Sequence, residues 1–534
     1  MNRPGTVLEV VRSTPPILVH NGESVTLQRF PLGTRVVYPP DPLPGLRDPD
    51  GAIRRALLDP LDCEPLPALL HPGMRLTIAV DDISLPLPPM RWPDVRARVL
   101  EAVLDLAADA GVEDVEIVIA TSLHRRMTAA EVLHAVGRRV FDAFWPDRLR
   151  NFDAEDPAAL VELGTTEDGE VVEISRRAAT SDLLVYVNIT LVAMDGGHKS
   201  VAVGLASYRS LRHHHNVHTL RHTRSLMDPP RSALHRSCDR MGRLLERHVK
   251  VFKIETTLNN DTFPTAMGFL NRRETEWTSR DHALARMVAH GTAVMPSAQA
   301  RAAFHRTRAP YALTGVFAGA TDPVHARALE SLYRQQAVPV RGQSDVLTVG
   351  IPYVGPYNVN SIMNPVLVFC MALGYFFNMY RGMPLVRRGG VLIVTHPCRE
   401  EFHPVHHPSY IDFYEQVLTE TRAPERIEAE YEERFASDAW YRQLYRRSHA
   451  YHGVHPFYMW YWGAHALEHL GDVVVVGGDR AACRRLGFRA ASTLEDALEM
   501  ATQTVGTHPS VTHLHCPPLF VCDVEPGGFE TGVP

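Results

Sequence analysis

Lys199 lies in the run Asp195-Gly196-Gly197-His198-Lys199-Ser200, with Gly204 following and the triplet His213-His214-His215 beyond it. Glycine has no Cβ and tolerates positive φ, so a Gly196-Gly197 turn lets backbone close on a ligand. An amine just past such a turn is placed to act as a nucleophile or to meet a phosphate. An imidazole on a following helix can bind a metal or move a proton. The plain alternative is a glycine turn carrying a solvated lysine, and the neighbouring segments decide between the two.

Those segments alternate between strand and helix. Met74 to Val80 is a short β-rich run ending at Asp81-Asp82, followed by a proline-broken loop from Ser84 to Pro93. Val95 to Ala110 has helical apolar spacing and stops at Gly111. Val115 to Ala120 reads as a buried strand ending at Thr121-Ser122-Leu123-His124, and Thr128 with Glu131 forms a capping box for the next helix. Leu183 to Val187 is another buried strand, and it runs into the Lys199 loop. This order predicts a parallel α/β sheet whose functional loops follow strand C-terminal ends.

A second α/β unit is predicted in the C-terminal third. Its strands are Val346 to Ile351, Gly389 to Thr395 and Asp472 to Val476, and the last enters Gly477-Gly478-Asp479. That glycine pair lacks the third glycine of a dinucleotide fingerprint. Ile411 to Tyr445 reads as amphipathic helices, and Ala337 to Gln343 as a linker. The expectation is two α/β domains, residues 1–340 and 341–534, with a cleft between them.

Bulk properties narrow the function classes. A chain of 534 residues is too long for one core. Its 55 basic and 61 acidic residues give a net charge of −6, which offers no general attraction for nucleic acid or an anionic membrane. The longest apolar run, Val366 to Phe377, is shorter than the ~20 residues of a membrane span. With Asn364 as N-cap and Pro365 at the first helical position, it reads as a buried helix. The N-terminus lacks the pattern of a signal peptide. Seven cysteines without a Cys-x-x-Cys pair read as reduced thiols, and the expectation is a soluble cytoplasmic protein acting on a small molecule. Oligomeric state is not legible.

Histidine is abundant, 28 in all, and grouped: the triplet with His218 and His222, His403 with His406 and His407, His452 with His455, and His513 with His515. No group has a standard zinc spacing. His214/His218 and His218/His222 have the i,i+4 spacing of one helix face, but the flanking arginines equally fit a solvated basic face.

Four loops resemble those of the nickel-pincer-nucleotide-dependent lactate racemases. Asp81-Asp82-Ile83-Ser84-Leu85-Pro86 resembles the family's aspartate–threonine–arginine–proline loop. Leu123-His124-Arg125-Arg126-Met127-Thr128 with Glu131 resembles its first catalytic-histidine loop. Gly196-Gly197-His198-Lys199 with Gly204 and His214-His215 resembles its cofactor-lysine and nickel-histidine segment. Gly315 to Ala320, on to Ala326, resembles the turn and helix closing its N-terminal domain.

The resemblance implies a nickel-bearing pyridinium nucleotide held covalently by Lys199, with Gly196 and Gly197 in its turn. It implies His215 as nickel ligand, with His214 as the register alternative, and Asp82 beside the cofactor. His124 would take the hydroxyl proton as hydride leaves the α-carbon of a 2-hydroxy acid. The implied activity is a racemase or epimerase; a net redox or elimination enzyme and a non-catalytic cofactor-binding protein stay open. The departures lie on the substrate side. Leu85 stands where the family has an arginine, and Asn188-Ile189-Thr190 lacks its second catalytic histidine. Asn360-Ser361-Ile362-Met363-Asn364 replaces a glutamine–lysine loop, so the charged grip on a small carboxylate is lost and lactate is not the expected substrate. Candidate replacements are His198 as second acid/base; His396, His403, His406 and His407 facing the cleft; Arg125 or Arg126 as carboxylate partner; and Tyr353, Tyr357 and Asn358 on a Gly-Pro loop of the kind that lines pockets.

Overall fold

The strand signals between residues 75 and 319 form a six-stranded sheet in a computed structural model, which describes residues 5–85 and 88–530. Pro86, the last residue of the first family-like loop, lies outside the described residues. Strand order is Leu313–Gly319, Val251–Leu258, Leu183–Thr190, Arg75–Asp81, Asp114–Ala120 and Leu149–Asn151. All neighbours are parallel except Leu313–Gly319, which pairs antiparallel on the edge. Leu183–Thr190 is buried at every position, as a parallel strand covered by helices on both faces must be. The helices start where their caps predict. Asp94 accepts from Arg96 N ahead of Val95–Asp109, and Thr128 and Glu131 close a capping box on Ala129–Val136. Because the three central strands run the same way, Asp81, Ala120 and Thr190 end on one edge of the sheet.

A seven-stranded sheet follows the order Val7–Glu9, Arg35–Val37, Val511–Leu514, Ser344–Gly350, Val386–Thr395, Asp472–Val476 and Arg489–Ala491. Two sheets, each largely parallel with helices between strands, make the chain α/β as expected. Sheet membership at the N-terminus differs from the 1–340 grouping: Val7–Glu9 and Arg35–Val37 join the second sheet, with Arg35–Val37 alongside Thr512–Leu514. The buried Arg35 guanidinium secures that join by donating to the carbonyls of Arg341 (2.7 Å) and Gly342 (3.0 Å). Short strands whose partners lie hundreds of residues away leave no local signal of where they pair.

The expected linker is also structured. Ala337–Arg341 is an edge strand pairing with Val521–Glu525, an edge being where Pro339 is tolerated. Gly315 to Ala320, expected as a turn, is the antiparallel edge strand, and the helix Thr321–Gln336 follows it. Asn364 caps the buried apolar helix by accepting from Leu367 N at 3.0 Å; the helix runs Pro365–Phe369 and then widens into π turns over Cys370–Phe376. Among the described residues no helix is long and apolar enough to cross a membrane.

Several histidines are core residues. Burial lowers the pKa of His20, His235, His396 and His513 to about 3 each. Each stays neutral in the fold but takes a proton near pH ~6.5 once unfolded. The unfolded chain therefore binds more protons in this window, and stability rises with pH across it. The loss as pH falls from ~6.5 toward 3 is about 1.4 kcal/mol per pH unit per histidine. Unfolding midpoints are expected to hold above pH ~7 and drop steeply below pH ~6; a flat profile down to pH ~5 contradicts this placement of the histidines.

Candidate functional site

The loops leaving the aligned strand ends of the first sheet meet at one cavity of about 100 Å³, lined by Asp82, Leu85, His124, Tyr186, Asn188 and Lys199 among others. Its chemistry is organised around Asp82. The Asp82 carboxylate accepts from Ser84 N at 2.8 Å through one oxygen and meets His124 Nδ1 at 2.8 Å through the other. Burial works to raise the Asp82 pKa, but the His124 imidazole and the Ser84 donors outweigh it and leave it below the usual range. An ionised Asp82 can only accept, so His124 carries its proton on Nδ1 and keeps a lone pair on Nε2.

Beneath this pair is a buried charged floor. Asp81 accepts from Ile189 N at 2.8 Å, and burial raises its pKa to about 7. Lys253 is fully buried, lies 3.9 Å from Glu255 and sits over the Tyr186 ring at 4.2 Å; burial lowers its pKa to about 8. Ser200, beside Lys199, donates to the Asn188 side chain, which also lies 3.5 Å from Lys253 Nζ. Asn188 is thus held in place at the position where the family resemblance sought a histidine.

Lys199 is half-buried on the cavity wall, in the helix Gly197–Gly204, and makes no hydrogen bond or ion pair with the described residues. The glycines before it serve packing. Gly196 has φ +92°, and a Cβ there would lie 2.5 Å from Glu255 Oε2; Gly197 has φ +59°, and its Cβ would lie 2.9 Å from the His325 ring. Gly197 N donates to Glu255 Oε1 at 2.6 Å. The turn therefore closes on a buried carboxylate, with Gly196 also lining the cavity and Gly197 not. Gly196→Ala is expected to cost about 1–3 kcal/mol, from positive φ and the clash together, in urea unfolding. Wild-type stability in that variant contradicts the turn's geometry.

His215 is 7% exposed and packs on rings of the C-terminal half, with centroids 5.1 Å from Tyr458 and 6.0 Å from Trp462. Its Nδ1 shares a hydrogen bond of 2.7 Å with His214 Nδ1. Burial, then the nearby His214 and Lys199, holds His215 neutral, the form a metal ligand needs.

One feature decides the relationship of this chain to known proteins: residues 25–228, which hold Asp82, His124, Lys199 and His215, match the lactate racemase N-terminal domain. Over this segment the chain is similar to the lactate racemases. It is 25% identical over 168 residues to the lactate racemase of Lactiplantibacillus plantarum, a match spanning 31% of this chain and 38% of that protein's length. The fold is similar to that of the lactate racemase apoprotein of Thermoanaerobacterium thermosaccharolyticum, with TM-score 0.62 and 16% identity, covering 95% of this chain and 99% of that one. A Thermotoga maritima protein is similar with TM-score 0.51 and 14% identity, covering 91% and 100%.

The residues selected from the sequence do not all converge. Asp82, His124, Gly196 and Lys199 share the cavity. His198 turns elsewhere: it is buried against Gly242, with Nδ1 3.7 Å from Glu246 and Nε2 3.2 Å from Asp322. A residue one place before Lys199 in a helix faces another side, so the structure does not bring His198 to His124. Arg125 is committed to Glu131 by two contacts of 3.0 and 2.7 Å. Arg126 donates to the Arg446 carbonyl at 2.8 Å.

His455, which the sequence reading did not select for the site, lies beside His124 where His198 was expected. It opens the helix His455–Tyr461, and its ring centroid lies 5.4 Å from that of His124 and 4.9 Å from that of Tyr357. Nδ1 is 2.6 Å from Tyr410 Oη, while Nε2 is buried without a hydrogen-bond partner among the described residues. Burial, then His124, keeps its pKa well below the usual value. Only its grouping with His452 was visible in the sequence; its orientation depends on how the two halves pack.

Proposed function

We propose that this protein is a racemase or epimerase of a 2-hydroxy acid or related hydroxylated compound other than lactate, working with a nickel-pincer nucleotide attached to Lys199. The observation that carries the reading is the Asp82–His124 pair opening on the same cavity as Lys199, which has no hydrogen-bond partner among the described residues. The donor set suits the group: Lys199, without a hydrogen-bond partner among the described residues, would make the covalent link, and a neutral His215 would be a single protein donor to nickel. Among the described residues there is no cluster of three or more metal-binding side chains, so the nucleotide itself would bring most of the nickel ligands. The cavity of about 100 Å³ is smaller than the ~300 Å³ or more that a whole small-molecule ligand occupies, so loading would require its walls to open.

When bound, the group supplies a hydride acceptor that no side chain can provide. His124 Nε2 takes the substrate hydroxyl proton, and Asp82 stabilises the resulting imidazolium through Nδ1–H. Tyr357 and Tyr451, with ring centroids 5.4 and 6.5 Å from that of His124, limit water around the imidazole. His455 is the second acid/base. The Tyr410 hydroxyl can donate to or accept from its Nδ1, so Nε2 can hold or release a proton without losing that partner. Leu85 presents an apolar wall where the racemases carry an arginine, which disfavours a small carboxylate close to the reacting carbon.

The test is incubation of cofactor-loaded protein with a panel of single-enantiomer 2-hydroxy acids, followed by chiral chromatography. Interconversion of enantiomers or epimers without change in composition is the expected result. Net accumulation of a keto acid or an alkene would replace isomerisation with a redox or elimination reaction.

A further inference from the structure

A second cavity, of about 360 Å³, lies between the two halves and shares Leu85 as a wall with the Lys199 cavity. Its lining includes Arg308, His134, Asn360, His403 and His406. The hydrogen bonds around these histidines determine which ring nitrogens carry protons. His403 Nδ1 accepts from the backbone N–H groups of His406 (3.1 Å) and Val405 (3.3 Å), so its proton is on Nε2. His407 Nδ1 accepts from His403 N and Asn364 Nδ2, both at 3.2 Å, so its Nε2–H donates to Ser361 Oγ at 3.4 Å. The Asn364 amide is itself oriented, because its oxygen caps Leu367 N. Ser361 then gives its hydroxyl proton to His406 Nδ1 at 2.9 Å, which leaves the His406 proton on Nε2 as well.

His403 and His406 stack with centroids 3.7 Å apart and an interplanar angle of 15°. Neither Nε2–H has a hydrogen-bond acceptor among the described residues, so the stacked pair presents two donors to the cavity. The same tautomers exclude a metal at these nitrogens, since coordination by Nε2 would require a proton on Nδ1, where donors already point. Arg308 adds positive charge. Its Nη1 donates to the carbonyls of His305 (2.6 Å) and Thr307 (3.0 Å), and it forms no ion pair with a carboxylate among the described residues. The other charges on the wall are paired, Arg96 with Asp94 at 2.8 Å and Arg125 with Glu131 at 2.7 Å.

We propose that this cavity is an oxyanion subsite in which the Arg308 guanidinium and the His403 and His406 Nε2–H groups receive a carboxylate or phosphoryl group carried by the substrate away from its reacting carbon. The oxyanion subsite stands on this chamber alone; assigning its ligand to a hydroxylated substrate rests on the racemase or epimerase reading. The substrate class that follows is a hydroxy acid longer than lactate with a second anionic end. A chamber of about 360 Å³ suits a small organic ligand and exceeds what one carboxylate needs.

The experiment uses the full chain purified without cofactor, so that failure to load Lys199 leaves it unaffected. Inorganic phosphate and glutarate are titrated separately by calorimetry into wild type, Arg308→Gln and His406→Phe. Saturable binding of at least one anion is expected, about tenfold weaker in Arg308→Gln for the loss of one charge-assisted contact, and weaker by a smaller factor in His406→Phe. Phosphate binding alone points to a phosphorylated substrate, and glutarate binding alone to a dicarboxylate. Arg308 is partly exposed, and an unchanged unfolding midpoint in Arg308→Gln shows that the fold persists. Absence of saturation by either anion up to ~20 mM, a range covering weak single-group contacts, overturns the proposal, as does equal affinity in wild type and Arg308→Gln.

Discussion

Asp82→Asn is expected to lower turnover by about a hundred- to ten-thousandfold while leaving cofactor loading and folding intact. The carboxylate 2.8 Å from His124 Nδ1 is an obligate acceptor that keeps the basic lone pair on Nε2. Asparagine preserves the shape but can present its NH₂ to Nδ1 instead, which moves the proton to Nε2, where the base should be free. It also removes the charge that stabilises the imidazolium. His124→Gln is expected to fall by a similar factor, and the double variant no further than the worse single one, because the two residues act as a unit. Single-turnover rates with matched nickel content check this. Independent, multiplying losses would separate Asp82 from the action of His124.

Arg125→Ala is expected to destabilise the protein by about 3–5 kcal/mol, the cost of leaving a buried charge without its partner. The side chains are 2% and 9% exposed at Arg125 and Glu131. Arg125 also donates to the Val359 carbonyl at 3.0 Å, and Asn360 Nδ2 donates to Glu131 at 2.8 Å, so the pair ties the two halves together. Burial opposes ionisation of Glu131, but Arg125, Asn360 and Thr128 outweigh it and lower its pKa to about 2. A depressed carboxylate pKa means this stabilisation is present above the unfolded value of pH ~4.5 and is lost as pH falls through about 2. Replacing both residues with leucine should recover much of the loss, since no charge is then left unpaired. Urea unfolding distinguishes the cases, and a loss below ~1 kcal/mol in Arg125→Ala would show that the pair does not hold the halves.

The sequence made the first sheet legible because its strands are continuous apolar runs and its helices carry capping residues such as Thr128 with Glu131. It made Asp82, His124 and Lys199 legible as a group because each follows a strand of one parallel sheet, and such strands end on a common edge. His198 lies away from the cavity because neighbours along a helix point to different sides, and the conformation of Gly197 packs it against His325 and Glu255. The edge strand Ala337–Arg341 was hidden by Pro339, and Arg35–Val37 by the remoteness of its partner. His455 and Arg308 were out of reach for a related reason. Each acquires its neighbours only when segments far apart in the chain pack together, and no spacing records that.

The central claim is that Lys199 carries the cofactor, and intact-protein mass with metal analysis tests it most directly. The chain and its Lys199→Ala variant are produced alongside the enzymes that make the nickel-pincer nucleotide. A mass adduct mapping to Lys199 with about one nickel per chain, both absent from the variant, is the predicted result. An unmodified, nickel-free wild-type chain, under conditions that load a lactate racemase, would contradict it.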